Sequence, residues 1–181
     1  MSRGFLVVGF IAVLACAAAL CGLEKVWADA PAAAAAASAE AVDYTKISPT
    51  DLVQKAPKGS LANPYKDTQA DIVAEGGKLL LQYSCSGCHG GGGGGGMCPP
   101  LTNDVWVYGG DDDTLFRLVT LGSDELQKQG YTRKGRENVV GPMPPFGQIF
   151  KNSDDLWKIF AFVRSKYSGD PAYKFGTPAG Q

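Results

Sequence analysis

The chain has 181 residues, with 17 basic and 18 acidic side chains and a formal net charge of −1 at pH 7. This length allows one domain of ordinary size and at most a small second one. Because the chain has no excess of basic residues, general binding of nucleic acids or other polyanions is excluded. The single histidine, His89, excludes centres that need several histidines, such as multi-histidine zinc sites, bis-histidine haems and, once it is assigned, a Ser-His-Asp hydrolase.

The N-terminus predicts an export signal. Arg3 precedes an apolar stretch from Gly4 to Leu23, and the small residue Ala28 follows. We interpret residues 1–28 as a signal peptide that is cleaved on export, which predicts a periplasmic protein. The alternative is a retained membrane anchor, since about 20 apolar residues can span a bilayer.

Cleavage would also decide the cysteine content. It would remove Cys16 and Cys21 and leave Cys85, Cys88 and Cys98. Because three is an odd number, the mature chain has no complete disulfide framework. Lipid attachment at Cys16 or Cys21 is a further, less favoured interpretation.

The mature chain is predicted to have four segments. Residues 29–42 are rich in alanine and lack an amphipathic face, which predicts a linker. Residues 43–66 are irregular and punctuated by prolines, so we expect an extended N-terminal arm lying on the domain. The ordered domain is predicted over residues 67–167, and residues 168–181 form a C-terminal tail.

Three amphipathic helices are predicted in the domain. Asp67 or Thr68 caps the first helix, which runs towards Cys85. The second begins at Asp112 or Asp113 and continues to about Leu121, and Gly122 closes it. Asn152 or Ser153 caps the third helix, which Gly169 and Pro171 end. Their predicted core positions are, in chain order, Ile72, Leu79, Leu80 and Tyr83; Leu115, Phe116, Leu118 and Val119; and Leu156, Ile159, Phe160, Val163 and Tyr167. No segment alternates with a period of two residues, so the predicted fold class is all-α, with long loops.

The sequence Cys85-Ser86-Gly87-Cys88-His89 is a C-x-x-C-H motif. In an exported chain it is typical of c-type haem attachment, with two thioether bonds and the adjacent imidazole as an axial iron ligand. A redox-active cysteine pair is less favoured because it usually follows a βαβ pattern, and a zinc site lacks further ligands. One motif predicts one covalent haem c.

The sixth iron ligand decides between electron transfer and ligand chemistry. Met143 lies in Gly141-Pro142-Met143-Pro144-Pro145-Phe146-Gly147, where the prolines stiffen the loop, and we predict it as the second axial ligand. Met97 follows seven glycines and has the reach to bind, since eight extended residues span about 26 to 29 Å. Its flexible tether would position the sulfur poorly, so it is the weaker candidate. For either methionine, ordinary core packing is the alternative.

Other polar residues are candidates for the haem environment. Trp106, Tyr108 and Arg117 carry N–H or O–H groups that could donate to the haem propionates, although core packing explains them equally well. The glycine run has no phosphate-binding context and is interpreted as a loop along the haem edge. A basic cluster, made of Lys128, Arg133, Lys134 and Arg136, could steer a charged partner or be an ordinary solvated loop.

From Asp67 to Tyr167 the chain resembles class I cytochromes c. In that family a glycine and an apolar residue of the first helix pack on the last helix, which implies contacts of Gly77 and Leu81 with Leu156, Phe160 or Val163. The family also has a proline whose carbonyl accepts a hydrogen bond from the ligand histidine, and Pro99 matches it. The resemblance implies three main helices and long loops around one covalent haem.

More closely, the glycine run and three further segments are similar to cytochrome c-L. These segments are Trp106-Val107-Tyr108-Gly109, Asp113-Thr114-Leu115-Phe116-Arg117-Leu118-Val119 and the loop around Met143. The similarity implies a periplasmic electron carrier, not an enzyme, that accepts single electrons from a PQQ-dependent methanol dehydrogenase of the lanthanide type. A downstream c-type cytochrome or oxidase would be the acceptor.

Two other functional hypotheses stay open, and one residue departs from the family pattern. The chain could be a membrane-anchored cytochrome subunit of another dehydrogenase or oxidase, or a haem enzyme or gas sensor with an open sixth site. The second is disfavoured because no further histidine remains as a distal acid or base. Cys98 is an extra thiol that could pair with another molecule or be oxidised, and a small buried apolar residue is the favoured interpretation.

Overall fold

The computed structural model describes residues 43–102, 104, 106–135 and 141–176, and every regular element in these ranges is helical. The all-α prediction is thereby confirmed. The predicted signal peptide and linker lie outside the described residues, as does Arg136. Five helices are described: α1 (Pro49–Lys55), α2 (Ala70–Gln82), α3 (Ser86–His89), α4 (Asp112–Lys128) and α5 (Ser153–Ser165). Short 3-10 turns cover Tyr44–Lys46, Gly147–Ile149 and Pro171–Tyr173.

Helix α1 lies within the segment that was expected to be an irregular arm. The Ser48 hydroxyl caps it by accepting a hydrogen bond from the Asp51 N–H at 3.2 Å, and Pro49 occupies the first turn. A proline is favoured there because its missing N–H has no partner within the helix anyway. Leu52 is fully buried, so α1 is part of the core.

Helix α2 begins later than predicted, after Gln69, whose side chain makes no capping hydrogen bond to the helix. The predicted caps, Asp67 and Thr68, are therefore wrong. The Asp67 carboxylate instead forms an ion pair with Lys174 near the C-terminus of the domain. Asp67, which the local sequence pattern predicted as a helix cap, therefore pairs with a residue distant in the chain instead.

The contact between α2 and α5 is made at Gly76. A Cβ atom on Gly76 would lie 2.0 Å from the Lys158 carbonyl oxygen, so only glycine permits this approach. The resemblance implied Gly77 and Leu81 as the contact pair, and the structure places each contact one position earlier, at Gly76 and Leu80. Leu81 is 54% exposed, whereas Leu80 is fully buried. Gly77 meets α5 at Phe162 rather than at the residues implied by the resemblance.

Helix α4 is broken at Gly122, which has a φ of 78° inside an otherwise helical segment. The prediction that Gly122 ends the first part of this helix is confirmed, but helical structure resumes and continues to Lys128. Leu115 and Phe116 are buried as predicted, and Leu126 is buried beyond the break.

Helix α5 follows the sequence pattern most closely. The Asn152 side chain caps it by accepting from the Asp154 N–H at 3.2 Å. Four of its five predicted core residues are buried, namely Leu156, Ile159, Phe160 and Val163, whereas Tyr167 lies beyond the end of α5 and is only partly buried. Trp157, which was not among the predicted core residues, stacks on Phe116 with ring centroids 4.3 Å apart and ties α5 to α4.

The close approach at Gly76 predicts a difference between two neighbouring alanine substitutions. Gly76→Ala should lower the free energy of unfolding by about 1 to 3 kcal/mol or more, because the new methyl group must push the two helices apart. Gly77→Ala meets only the edge of the Phe162 ring, at 3.1 Å, and gains helix propensity of up to about 1 kcal/mol. Thermal unfolding of both variants, each with its cofactor content verified, measures the difference. A larger loss at Gly77 would contradict the observed register.

Candidate functional site

A cavity of about 470 Å³ lies between the helices, and most of the predicted site residues line it. Its walls include apolar side chains of α2, α4 and α5, such as Leu80, Leu115 and Phe160. The predicted site residues among the lining are Cys85, Cys88, His89, Pro99, Trp106, Tyr108 and Met143. A cavity of this volume is in the range of cofactor sites in proteins.

His89 is held at the end of α3 by a backbone oxygen. Its Nδ1 atom lies 2.7 Å from the Pro99 carbonyl oxygen, the contact that the resemblance implied. A carbonyl can only accept, so Nδ1 carries the proton in this contact and Nε2 is left as the nitrogen with a lone pair for a metal. The chain reaches α3 through Ser84, a non-glycine residue with a φ of 59° that turns the backbone sharply after α2.

Three free thiols lie along the cavity, at Cys85, Cys88 and Cys98. Burial raises the pKa of the Cys85 thiol. Burial and a hydrogen bond with the Cys88 thiol raise the pKa of Cys98. The Cys98 N–H also donates to the Cys88 carbonyl oxygen at 3.0 Å, so the third thiol lies directly beside the second cysteine of the motif.

The glycine run folds back on the cysteine motif. The Gly95 N–H donates to the His89 carbonyl oxygen at 2.8 Å, and the Leu101 N–H donates to Gly93 at 2.7 Å. Gly90 has a φ of 77° and would place a Cβ atom 2.5 Å from the Gly95 carbonyl oxygen, so glycine is required there. The run leads to Met97, whose side chain is 60% exposed and does not line the cavity.

Met143 lies half-buried at the cavity, in a loop that rests on the break in α4. The Ser123 N–H donates to the Met143 carbonyl oxygen at 2.9 Å, and the Met143 N–H donates to the Ser123 hydroxyl oxygen at 3.0 Å. A Cβ atom on Gly122 would lie 2.8 Å from the same carbonyl oxygen. The structure therefore brings Met143, and not Met97, to the cavity that His89 lines.

Two predicted polar residues contribute to the cavity wall. The indole Nε1–H of Trp106 is buried and has no hydrogen-bond partner among the described residues. The Tyr108 hydroxyl accepts from the Gln127 side-chain amide at 2.6 Å. A buried N–H without a partner costs about 1 to 3 kcal/mol, so a group with an acceptor oxygen in the cavity would stabilise this arrangement.

Arg117 does not line the cavity, so its expected haem contact is wrong. Its guanidinium donates to the Asp113 carboxylate at 2.8 Å and to backbone oxygens at the end of α1. Burial alone would raise the pKa of Asp113, but hydrogen bonds from Arg117 and from the backbone N–H groups of Gly59 and Leu61 outweigh burial and lower it. Arg117 therefore joins α4 to the end of α1 through these backbone hydrogen bonds, and its buried ion pair with Asp113 lies within α4.

Several polar residues that line the cavity were not predicted as individual site residues, among them Ser123, Gln127 and Arg133. Ser123 and Gln127 lie after the break in α4, where the helix was expected to have ended. Arg133 was identified only as a member of the basic cluster, although it also lines the cavity. A periodic pattern continuing past Gly122 was the signal that could have revealed the first two.

The residues of this cavity fit a covalently attached haem. Two thiols at the C-x-x-C spacing, an imidazole with Nε2 available and one thioether border an apolar space. The unpartnered Nε1–H of Trp106 is a donor suited to a carboxylate group. The haem accounts for these cavity residues without a further metal ion.

The match to a family model agrees with this fit. The family model described as cytochrome C oxidase, cbb3-type, subunit III matches residues 71–163. A search of curated proteins finds no match. The crystal structure of cytochrome cL from Hyphomicrobium denitrificans is 27% identical, covers 67% of this chain and 70% of its own, and has a TM-score of 0.42. Cytochrome CL from the marine methylotrophic bacterium Methylophaga aminisulfidivorans is 21% identical, covers 67% of this chain and 77% of its own, and has a TM-score of 0.39.

The position of the three thiols predicts different outcomes for two serine substitutions. Cys98→Ser should leave both thioether bonds intact, whereas Cys88→Ser should leave only one, because Cys88 belongs to the attachment motif. The pyridine haemochrome spectrum measures this difference, since a vinyl group left unsaturated moves the absorption band to longer wavelength. A band shift in Cys98→Ser with none in Cys88→Ser would show that Cys98 is the attachment residue.

Proposed function

We propose that the chain, which belongs to the cytochrome c family described as cytochrome C oxidase, cbb3-type, subunit III, is a periplasmic carrier of single electrons. As a member of that family, it is an electron-transfer protein with covalently bound haem c. Its donor is a PQQ-dependent methanol dehydrogenase, of the lanthanide type by resemblance. The observation that carries the proposal is that His89 and Met143 line one apolar cavity together with both cysteines of the attachment motif.

In this proposal, Cys85 and Cys88 would hold the haem covalently, and His89 and Met143 would bind its iron. The haem would supply a one-electron change between ferric and ferrous iron. A thioether ligand raises the reduction potential relative to two nitrogen ligands, which suits a protein that accepts electrons. With both of these iron ligands supplied by the protein, substrates and gases would have no vacant site.

The other cavity residues act on the environment of the haem. The Pro99 carbonyl oxygen orients His89 and increases the basicity of its free nitrogen. Trp106 and Tyr108 would provide donor groups for the propionates. The apolar side chains of α2, α4 and α5 exclude water, which stabilises the less charged ferrous state relative to an exposed haem.

The assignment of the donor rests on the segments that resemble cytochrome c-L. A reduced quinone cofactor carries two electrons and one haem accepts one, so each donor molecule is oxidised in two successive encounters. Such redox encounters are weak and small, and charge steers them. Lys128, Arg133 and Lys134 are exposed and provide a basic surface that could serve this role, and a further c-type cytochrome or an oxidase would accept the electrons.

A second candidate is an anchored cytochrome subunit of an oxidase, which the description of the matching family favours. Within the described ranges, no helix is long and apolar enough to cross a membrane. The two candidates differ in the fate of residues 1–28, which a carrier loses and an anchored subunit keeps. Sequencing the first residues of the exported protein and determining its size distinguish them.

The ligand assignment predicts opposite behaviour of the two methionines. Met143→Ala should abolish the sulfur-to-iron charge-transfer absorption of the oxidised protein and allow carbon monoxide to bind the ferrous form. Met97→Ala should leave both properties unchanged, because this side chain is 60% exposed and outside the cavity. Optical titration with carbon monoxide provides the measurement. The reverse result would identify Met97 as the ligand, and carbon monoxide binding to the unsubstituted protein would favour a haem enzyme or sensor.

The donor assignment predicts fast electron transfer on mixing. Oxidised protein mixed with reduced methanol dehydrogenase in a stopped-flow instrument should show reduction of the haem, with a rate that falls as ionic strength rises. Reduction of the same sample by ascorbate is the control for a competent haem. If ascorbate reduces the protein and the dehydrogenase does not, the proposed donor is wrong while the carrier function stands.

A further inference from the structure

The break in α4 frees two backbone groups that bind the methionine loop. In an unbroken helix the Ser123 N–H would donate to the Val119 carbonyl oxygen four residues earlier. Here Gly122, with a φ of 78°, separates them. The Ser123 N–H donates to Met143 at 2.9 Å, and the Val119 carbonyl oxygen accepts from the Phe146 N–H at 2.9 Å. The loop therefore takes the place of the missing helical bond.

The Ser123 side chain adds a third bond of a different kind. Within Pro142-Met143-Pro144-Pro145, the three prolines have no N–H, so Met143 carries the only backbone donor. That donor is bonded to the Ser123 hydroxyl oxygen at 3.0 Å. Both backbone groups of Met143 are thus held by one residue, which is itself only 5% exposed.

We propose that Ser123 is a positioning residue, whose hydroxyl holds the backbone of Met143 so that its thioether resists displacement from the haem iron. This proposal rests on the axial role of Met143 in the proposed function. The prolines limit the conformations of the loop but cannot donate to the helix. Two backbone hydrogen bonds hold the loop on α4, and the hydroxyl adds the one contact that binds the N–H of Met143 itself.

Competition with free imidazole tests the role of this hydroxyl. Imidazole is added to the oxidised holoprotein, and its binding is followed by loss of the sulfur-to-iron absorption. Ser123→Ala should bind imidazole roughly 3- to 10-fold more tightly, the effect expected when one buried hydrogen bond to the bound state is lost. Ser165→Ala is the matched control, because that serine also lies in a helix but bonds to the Phe162 carbonyl oxygen of its own turn.

A double-mutant cycle separates positioning from a general effect on the cavity. In the Met143→Ala background no thioether must be displaced, so adding Ser123→Ala should leave imidazole affinity unchanged. Because this background lacks the sulfur-to-iron absorption, binding is followed there by the shift of the Soret band. The same increase in both backgrounds would overturn the proposal, as would no increase in the single variant. If the unsubstituted protein lacks the sulfur-to-iron absorption and binds imidazole as tightly as Met143→Ala, the axial assignment of Met143 fails instead. The two failures are therefore distinguishable.

Discussion

The structure depends on a cavity that the apolar faces of α2, α4 and α5 line, in addition to the direct contacts of α5 with α2 at Gly76 and with α4 at Phe116. Leu80, Leu115, Leu156 and Phe160 belong to the buried core and also line this space of about 470 Å³. An empty apolar volume of this size would forfeit dispersion contacts on every side. A bound haem replaces these contacts, so the cofactor is an element of the core as well as the redox centre.

Two distant chain segments hold the proposed iron ligands, and each uses the backbone to do so. On one side, the carbonyl oxygen of Pro99 fixes the imidazole of His89. On the other, a broken helix offers its unpaired groups to the loop of Met143. The break would be costly in an ordinary helix, because it leaves buried polar groups without partners. Here the loop satisfies them, which couples the shape of α4 to the position of the methionine.

Local patterns were sufficient for the features that depend on neighbouring residues. The spacing of Cys85, Cys88 and His89 specifies covalent haem chemistry without reference to the rest of the fold. Helix α5 was predicted with its cap at Asn152 or Ser153, because its apolar period and its capping side chains agree, and the structure shows Asn152 as the cap. The prolines on both sides of Met143 favoured it over Met97 as the predicted iron ligand. In the structure Met143 lines the cavity, whereas Met97 is exposed and does not.

Contacts between distant segments decided the remainder. The sequence by itself determined the attachment chemistry, the all-α class and the course of α5, since each follows from residues within a few turns of one another. Only the tertiary structure decided that Gly76 rather than Gly77 makes the close backbone contact with α5, that Arg117 donates to the backbone oxygens of Val53 and Ala56 away from the cavity, and that Ser123 binds Met143. These outcomes depend on which backbone oxygen or carboxylate lies within hydrogen-bonding or contact distance, and that distance is set by the packing of helices far apart in the chain.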